Sequence, residues 1–423
     1  MSDVEIIAPV RIADTELWFA QGVRAGNWIF LTGHEATDFV SGMAPEVRGK
    51  EHFPLYGAPL YRREGDHILK RFQELLAGVG SGLTHGVRLD QYYPTWKAVD
   101  PYHHARRAHF GDYIPPSTSI IMEELMVENT AINTSLLAVM PETGREIRRA
   151  EETDQVESPF FSGFAPAVTY GDLVFVAGQM ANTSDWSLDP RAHVPDDALW
   201  AGYEICKQTE FVIAERIAPA LAAAGASPEN LVKAQVYLTN VEDVPYFLDV
   251  WNAHFGERQC ALSIVPCSQL AIVGGIIEIN AMALRDSGST AKRIIEADIP
   301  KTAAFGAPAV QAGDLLLCSA LMAAPEDAAL PATGLYHYGQ RAQVQARFII
   351  DCAARIVEAA GTSLVNTVRI HQFHTDLSEV VPACRVWQEA LSQAALPFGA
   401  VRVPGPMPAP ACTMMHDLWV YAP

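Results

Sequence analysis

The side chains of this sequence that could carry chemistry are carboxylates, imidazoles and hydroxyls set in or beside apolar runs. Glu278 is the carboxylate of the run Ile276-Ile-Glu278-Ile-Asn-Ala-Met-Ala283. A carboxylate taken out of water can orient or deprotonate a water molecule, whereas a strand-edge carboxylate in solvent does neither. Ser117 and Ser119, in Pro-Pro-Ser117-Thr-Ser119-Ile, are either ordinary strand serines or cleft hydroxyls, and His34 and His103 pose the same choice. The cluster His103, His104 and His109 invites a metal. Adjacent histidines on a helix point about 100° apart, while metal-binding pairs sit three or four residues apart. No metal site is expected, and the three read as polar surface or cleft-lining residues. In the alternating run Val368-Arg-Ile-His371-Gln-Phe-His374 the two histidines face opposite ways, so at most one lines a given cleft.

These residues are positioned by a pattern that occurs three times. An opening glycine recurs at Gly26, Gly171 and Gly313, periods of 145 and 142 residues. The glycine that stops the first helix follows at Gly80, Gly225 and Gly361, offsets of 54, 54 and 48. A valine opening the next strand follows at Val87, Val232 and Val368, offsets of 61, 61 and 55. A constant internal register predicts three homologous domains. They are 1–141, 163–285 and 305–423, with polar joints near Glu142 to Ser162 and Asp286 to Ala304. The middle one is the most regular. The first carries a longer loop over 37–65, rich in Gly, Pro and charge, which reads as a lid, a partner contact or a loose insertion.

Apolar residues at helical spacing mark the first of two helices in each copy: Ile68, Phe72, Leu75 and Leu76 over about 66–79, then Ile205, Val212, Ile213, Ile217 and Leu221 with a bend at Pro219, then Phe348, Ile349, Cys352, Ile356 and Val357. The order in each copy is strand, strand, helix, strand, helix, strand, strand. Helices covering one sheet face leave the other to be buried elsewhere.

Composition narrows the function. At 49% hydrophobic, with no apolar run of about 18 residues, the chain reads as globular and outside the membrane. Its formal net charge of -19 opposes nucleic-acid binding, which needs clustered Lys and Arg. The start Met-Ser-Asp-Val-Glu lacks the basic and apolar segments of a secretory signal. Seven cysteines, odd in number and without a C-x-x-C pair, read as reduced thiols of a cytoplasmic protein.

The run Gly171-Asp-Leu-Val-Phe-Val-Ala-Gly178-Gln179, the helix ending at Gly225, the strand Val232 to Asn240, the second helix ending His254-Phe255 and the closing run around Glu278 resemble, in that order, one RidA (YjgF) domain. The resemblance implies an α+β fold: three tandem RidA/chorismate-mutase-like domains, each a mixed sheet with two helices on one face, arranged as a covalent pseudo-threefold trimer. It also implies small-molecule clefts between units and hydrolysis of enamines and imines. Family cleft positions carry over unevenly. The aromatic position has Phe19, Phe164 and, in copy three, Gly306. The small-Gly-Gln turn is Gly178-Gln179 in copy two, Gly33-His34 in copy one and Ala320-Leu321 in copy three. The Asn position is His103, Leu248 and Cys384.

The substrate-clamping Arg is replaced by Ser117, Leu262 and Phe398 or Gly399, with Arg402 close by, and the water-positioning Glu survives as Glu278 but becomes Asn133 and Met414 elsewhere. The resemblance therefore implies at most one working cleft, built on Glu278 with Ser117 and His103, with Gly178, Gln179, Phe164, Ser119, His34, Asn133 and Arg402 around it. Loss of the Arg implies a substrate other than a simple 2-imino acid, neutral or aromatic in character. Three-repeat ring hydrolases use Ser-Lys pairs, but none of the seven lysines adjoins a candidate serine in the repeats. No nucleophile elbow, phosphate loop or dinucleotide fingerprint is present, and no cofactor is expected. The rival reading is a non-catalytic binding or scaffold protein with decayed clefts.

Overall fold

The run Trp28-Ile-Phe-Leu carries large apolar side chains at successive positions, so both faces of its strand need cover. The computed structural model of the protein describes residues 4–50, 57–153, 156, 162–195, 197–198, 202–323, 340–392, 395–409 and 411–423. In it this run forms the strand Trp28–His34. Ile29 and Leu31 pack under helices, while Trp28 and Phe30 enter a second core on the other face.

Three large sheets form among the described residues. The first runs, edge to edge, Val4–Ile7, Gly22–Ala25, Trp28–His34, Asn133–Val139, Gly86–Tyr93, Ser117–Ile121. The second has the corresponding centre, Leu173–Gln179, Ile277–Arg285, Ala226–Leu238, Ala261–Pro266, and gains Phe305–Gly306 at its edge. The third centres on Leu315–Cys318, Met414–Tyr421, Thr367–His374, Phe398–Arg402 and gains Glu124–Leu125. Thus the second and third sheets are completed by short strands that lie far away along the chain. Each sheet contains one parallel pair, as at Leu89↔Ser117, Lys233↔Ala261 and Ile370↔Phe398. A parallel pair needs a crossover, supplied here by Val99–Phe110, Val244–Phe255 and Val380–Leu391.

Local sequence sets the element ends. Thr95, Asn240 and Asp376 accept the N–H of Lys97, Glu242 and Ser378 and start the turn into each crossover helix. Gly80, Gly225 and Gly361, at φ +82, +75 and +82°, follow the longer helices in a conformation that favours glycine. The first of these helices is Leu60–Gly78, a turn and a half longer at its start than the apolar spacing predicts. The second is Glu204–Val212, a π turn Ile213–Ile217, then Ala218–Ala223, with Pro219, which lacks an N–H, just after the irregular turn.

The 37–65 segment is less open than its composition suggests. Thr37 bridges to Met43, Pro45–Arg48 forms a short helix, and Met43, Ala44 and Val47 are buried in the helix-side core. Residues 51–56 lie outside the described residues.

The faces away from the helices meet one another. Trp28 and Phe30 of the first sheet, Phe175 and Met282 of the second, and Leu317 and Trp419 of the third share a single core. Beside it lies a buried ionic layer. Arg88 donates to Gln235 Oε1 (2.8 Å), Lys233 to Asp417 Oδ2 (2.6 Å) and Arg369 to Asp90 Oδ2 (2.9 Å). Sheet one therefore reaches sheet two, two reaches three, and three reaches one.

The same layer holds a Ser–Lys contact between residues that are not adjacent in sequence and include neither candidate serine. Lys233 Nζ is 2.7 Å from Ser263 Oγ, and both donate to Asp417. Pairing of their strands sets the two residues diagonally on one face, a contact hidden by thirty residues of separation. Lys233, Ser263 and Asp417 are all fully buried, so the trio joins sheets.

Candidate functional site

The turn ending each second strand breaks the ladder. Pairing with the closing strand shifts register between Leu31 and His34 in the first sheet and between Val176 and Gln179 in the second. Such a bulge re-aims the chain toward a neighbour. At Gly33 an added Cβ would strike Gly399 Cα and Phe398 O of the third sheet. At Gly178 it would strike Glu278 Oε1 and sit 3.2 Å from Thr118 Cγ2 of the first. In the third sheet Ala320 N donates to Ser263 Oγ of the second, at 3.0 Å. Three equivalent seams thus pair Gly33 with Gly399, Gly178 with Thr118, and Ala320 with Ser263.

Thr118 and Ser263 bring a side chain to their seams, whereas Gly399 has none, and a cavity of about 250 Å³ lies at the Gly33 seam among the described residues. Its apolar wall includes Phe19, Phe39 and Phe398, with Phe19 centred 5.6 Å from each of the other two rings. Its ionisable lining residues are Glu35 and Glu128. Phe39 and Val40 sit on the loop tied by Thr37 and Met43, with Val40 exposed at the tip and Asp38 Oδ1 accepting the Val40 and Ser41 N–H groups.

Glu35 was not singled out in the sequence. Its carboxyl accepts from Asn133 Nδ2 (2.9 Å), Thr130 Oγ1 (3.0 Å), Val127 N (2.8 Å) and Met126 N (3.2 Å). Burial raises its pKa to about 7, the four hydrogen bonds opposing a further rise. Glu64 on the helix behind it is also raised to about 7, first by burial and then by the Glu35 charge, while Ala131 N donates to it at 2.7 Å. In the repeat register Glu35 corresponds to Met180 and Met322. A carboxylate where two copies carry methionine was the available signal.

Glu278 is buried at the second seam, with Oε2 unpartnered, and burial raises its pKa to about 8. Gly178 adjoins it, and Asn280 Nδ2, two residues along the same strand, donates to Thr118 Oγ1 at 3.0 Å. Thr118, skipped in the sequence reading, therefore faces this seam. Ser117 and Ser119 point the other way: Arg106 donates to Ser117 Oγ (3.1 Å) and Gln91 to Ser119 Oγ (3.3 Å) on the helix side. Side-chain alternation along a strand makes a one-residue difference a change of face.

The remaining candidates scatter. His103 is half-buried on its helix with Nε2 unpartnered, kept neutral by burial and by the charge of Arg106. His109 meets Asp66 (3.1 Å) and Gln73 (3.2 Å). Among the described residues no group of three or more His, Cys, Asp or Glu is placed to hold a metal ion. His34 is buried beneath Phe19 and Phe72, its Nε2 2.6 Å from Gln21 O, and burial lowers its pKa to about 3. Asn133 meets Glu35 at the first seam, apart from Glu278.

Arg402 pairs with Glu124 (3.1 Å) in half-exposed surroundings and is not among the residues lining the cavity. Phe164 packs on the first sheet's helix-side core through a bridge to Ile114, and the Gln179 side chain donates to Ala177 O (3.4 Å). In the third copy the aromatic is Phe305, one residue before Gly306, paired with Leu262.

A buried arginine was also missed. Arg106 donates to Gln91 Oε1 (3.0 Å), Ser117 Oγ and Ser162 O (2.8 Å), acceptors that are all neutral. Its equivalents on the other crossover helices are the buried Trp251 and Trp387.

Residues 157–285 match the sequence model of the family described as Endoribonuclease L-PSP. The chain is 32% identical over 123 residues to a RutC family protein of Pyrococcus abyssi, covering 29% of this chain and 87% of the relative. It is 30% identical over 139 residues to a RutC family protein of Saccharolobus solfataricus, covering 33% and 97%. Among solved structures, RidA from an Antarctic Psychrobacter matches 32% of this chain and 99% of its own, at 26% identity and a TM-score of 0.27.

Proposed function

Because the chain belongs to the RidA (YjgF) superfamily, we propose that it is a covalent pseudo-trimer of units 1–141, 163–285 and 305–423, hydrolysing or deaminating a small C–N compound at one inter-unit cleft. The cyclic run of seams and of buried hydrogen bonds from Arg88, Lys233 and Arg369 supports the threefold arrangement. A chain that covers its own sheet faces suits a monomer. Seven free cysteines suit a cytoplasmic setting, and the acidic charge favours a small molecule over nucleic acid.

The observation that carries the reading is the cavity at the Gly33–Gly399 seam, with Glu35 in its wall. Asn133 holds the place of the family's water-positioning Glu, and the carboxylate is delivered one strand over, bonded to Asn133. With a pKa of about 7, Glu35 takes or gives a proton near neutral pH. A protonated imine then takes up one water at its carbon, the new C–O bond forming before the C–N bond breaks, and the products are a carbonyl compound and an ammonium ion. Glu278 offers a second reading, favoured by its unpartnered buried Oε2.

Ammonia release from a panel of imines and enamines separates the two. Loss of about a hundredfold or more in Glu35→Gln, with Glu278→Gln active, assigns the first seam; the reverse assigns the second. No release by the wild type from any compound would overturn the hydrolase and leave a binding or scaffold protein.

A further inference from the structure

We infer that the ligand of the Gly33–Gly399 cavity is a small organic cation without a carboxylate: an ammonium or iminium group carried on an apolar or aromatic body. The inference deepens the proposed function and rests on its choice of cavity. Three features of the lining point the same way. The place of the family's guanidinium is taken by Phe398, an uncharged residue of the lining. The ionisable lining groups are the two carboxyls Glu35 and Glu128, and among the described residues no Lys, Arg or His lines the space. Arg71, the cation just outside, is engaged: it donates to Thr37 O (2.9 Å) and lies 4.9 Å from the centre of the Phe39 ring.

An anionic ligand would be desolvated beside Glu35 with no countercharge in the lining, which is costly. A cation gains from the negative field of both carboxyls, and its apolar body from the aromatic wall of Phe19, Phe39 and Phe398. For the hydrolytic step the same field favours the protonated imine, the more electrophilic form. It disfavours 2-imino acids, whose carboxylate would sit where Phe398 now stands.

Three probes of similar size test this by titration calorimetry on the full chain at pH 7: benzylamine, benzyl alcohol and benzoate. The amine is expected to bind at least about tenfold tighter than the alcohol, with benzoate weakest. Glu128 is exposed, so Glu128→Gln should leave the fold intact, which circular dichroism checks; it should weaken the amine several-fold and leave the alcohol unchanged. Benzoate equal to or tighter than benzylamine, amine and alcohol alike, or no binding by any probe would each overturn the inference. An amine preference untouched both by Glu128→Gln and by Glu35→Gln belongs to the chain's general negative charge and overturns it as well. Ammonia release is read separately, so a hydrolase lacking this preference would show as release without amine binding.

Discussion

Glu35, Glu64 and Glu278 are carboxyls that burial pushes up to about 7, 7 and 8 from an ordinary 4.5. An acid whose pKa is higher folded than unfolded binds its proton more tightly when folded. Each such group therefore costs stability as pH rises from about 4.5, and the cost is complete above its folded pKa. For Glu278→Gln the loss of stability between pH 5 and pH 8.5 should be smaller than in the wild type by roughly 1–4 kcal/mol. Urea denaturation at the two pH values measures it, and an equal loss in both proteins would mean that Glu278 is solvated. If Glu35 moves the proton, the rate of ammonia release should bend near pH 7 in the wild type, and the bend should vanish in Glu35→Gln. Glu278 was legible because its neighbours repeat a familiar run. Glu35 was not, because its environment is made by Asn133, Thr130 and the 126–127 backbone, about a hundred residues away.

The strand Ser117–Ile121 and the helix Val99–Phe110 show what an element contributes beyond its residues. The segment was located from the sequence, yet only its register decides that Thr118 faces the second sheet while Ser117 and Ser119 face Arg106 and Gln91. Arg106 links the helix to its own sheet and to Ser162 on the chain entering the next one. Arg106→Leu removes the guanidinium from three buried acceptors, of which Gln91 Oε1 keeps a long bond from Tyr93 Oη (3.5 Å), and should destabilise the protein by about 2–4 kcal/mol in chemical denaturation. Arg106→Lys, whose single ammonium cannot fork among the three, should recover only part of that. A change under about 0.5 kcal/mol for the leucine variant would show that water replaces the guanidinium. The 37–65 segment makes the complementary point: its composition reads as loop, while Met43, Ala44 and Val47 bury themselves in the first core and hold the Phe39 turn at the cavity mouth.

Across the molecule, Arg88, Asp90, Lys233, Arg369 and Asp417 tie the three sheets where their faces meet. Burial alone would raise Asp90 and Asp417, but Arg88 and Arg369 around the first, and Lys233 and Arg369 around the second, outweigh it and hold both below the ordinary range. Depressed acids stabilise the fold above their unfolded pKa and lose that contribution as pH falls through the folded one. With the raised glutamates acting in the opposite sense, thermal stability should peak between about pH 4 and pH 6 and decline on both sides. Asp417→Ala leaves Lys233 buried and uncompensated and should cost about 3–5 kcal/mol. If the sheets fold as one body, denaturation should remain a single transition; separate transitions would show that the units hold without the ionic layer.

The sequence by itself determined the elements and their repetition: helix stripes, helix-stopping glycines, strand openings and the resemblance that follows from their order. These are local properties, written in periodicity and in single-residue preferences that act within a few positions. It also placed the family's cleft positions, and with them Phe19, Gly33, Gly178 and Glu278. Only the tertiary structure decided which of those positions meet across a seam, that an open cavity lies at the Gly33 seam, and that Glu35 stands in its wall. The reason is that a seam joins residues up to 366 positions apart, Gly33 with Gly399, and its free space depends on a side chain missing from one strand opposite a turn on another. No periodicity within either segment encodes that pairing.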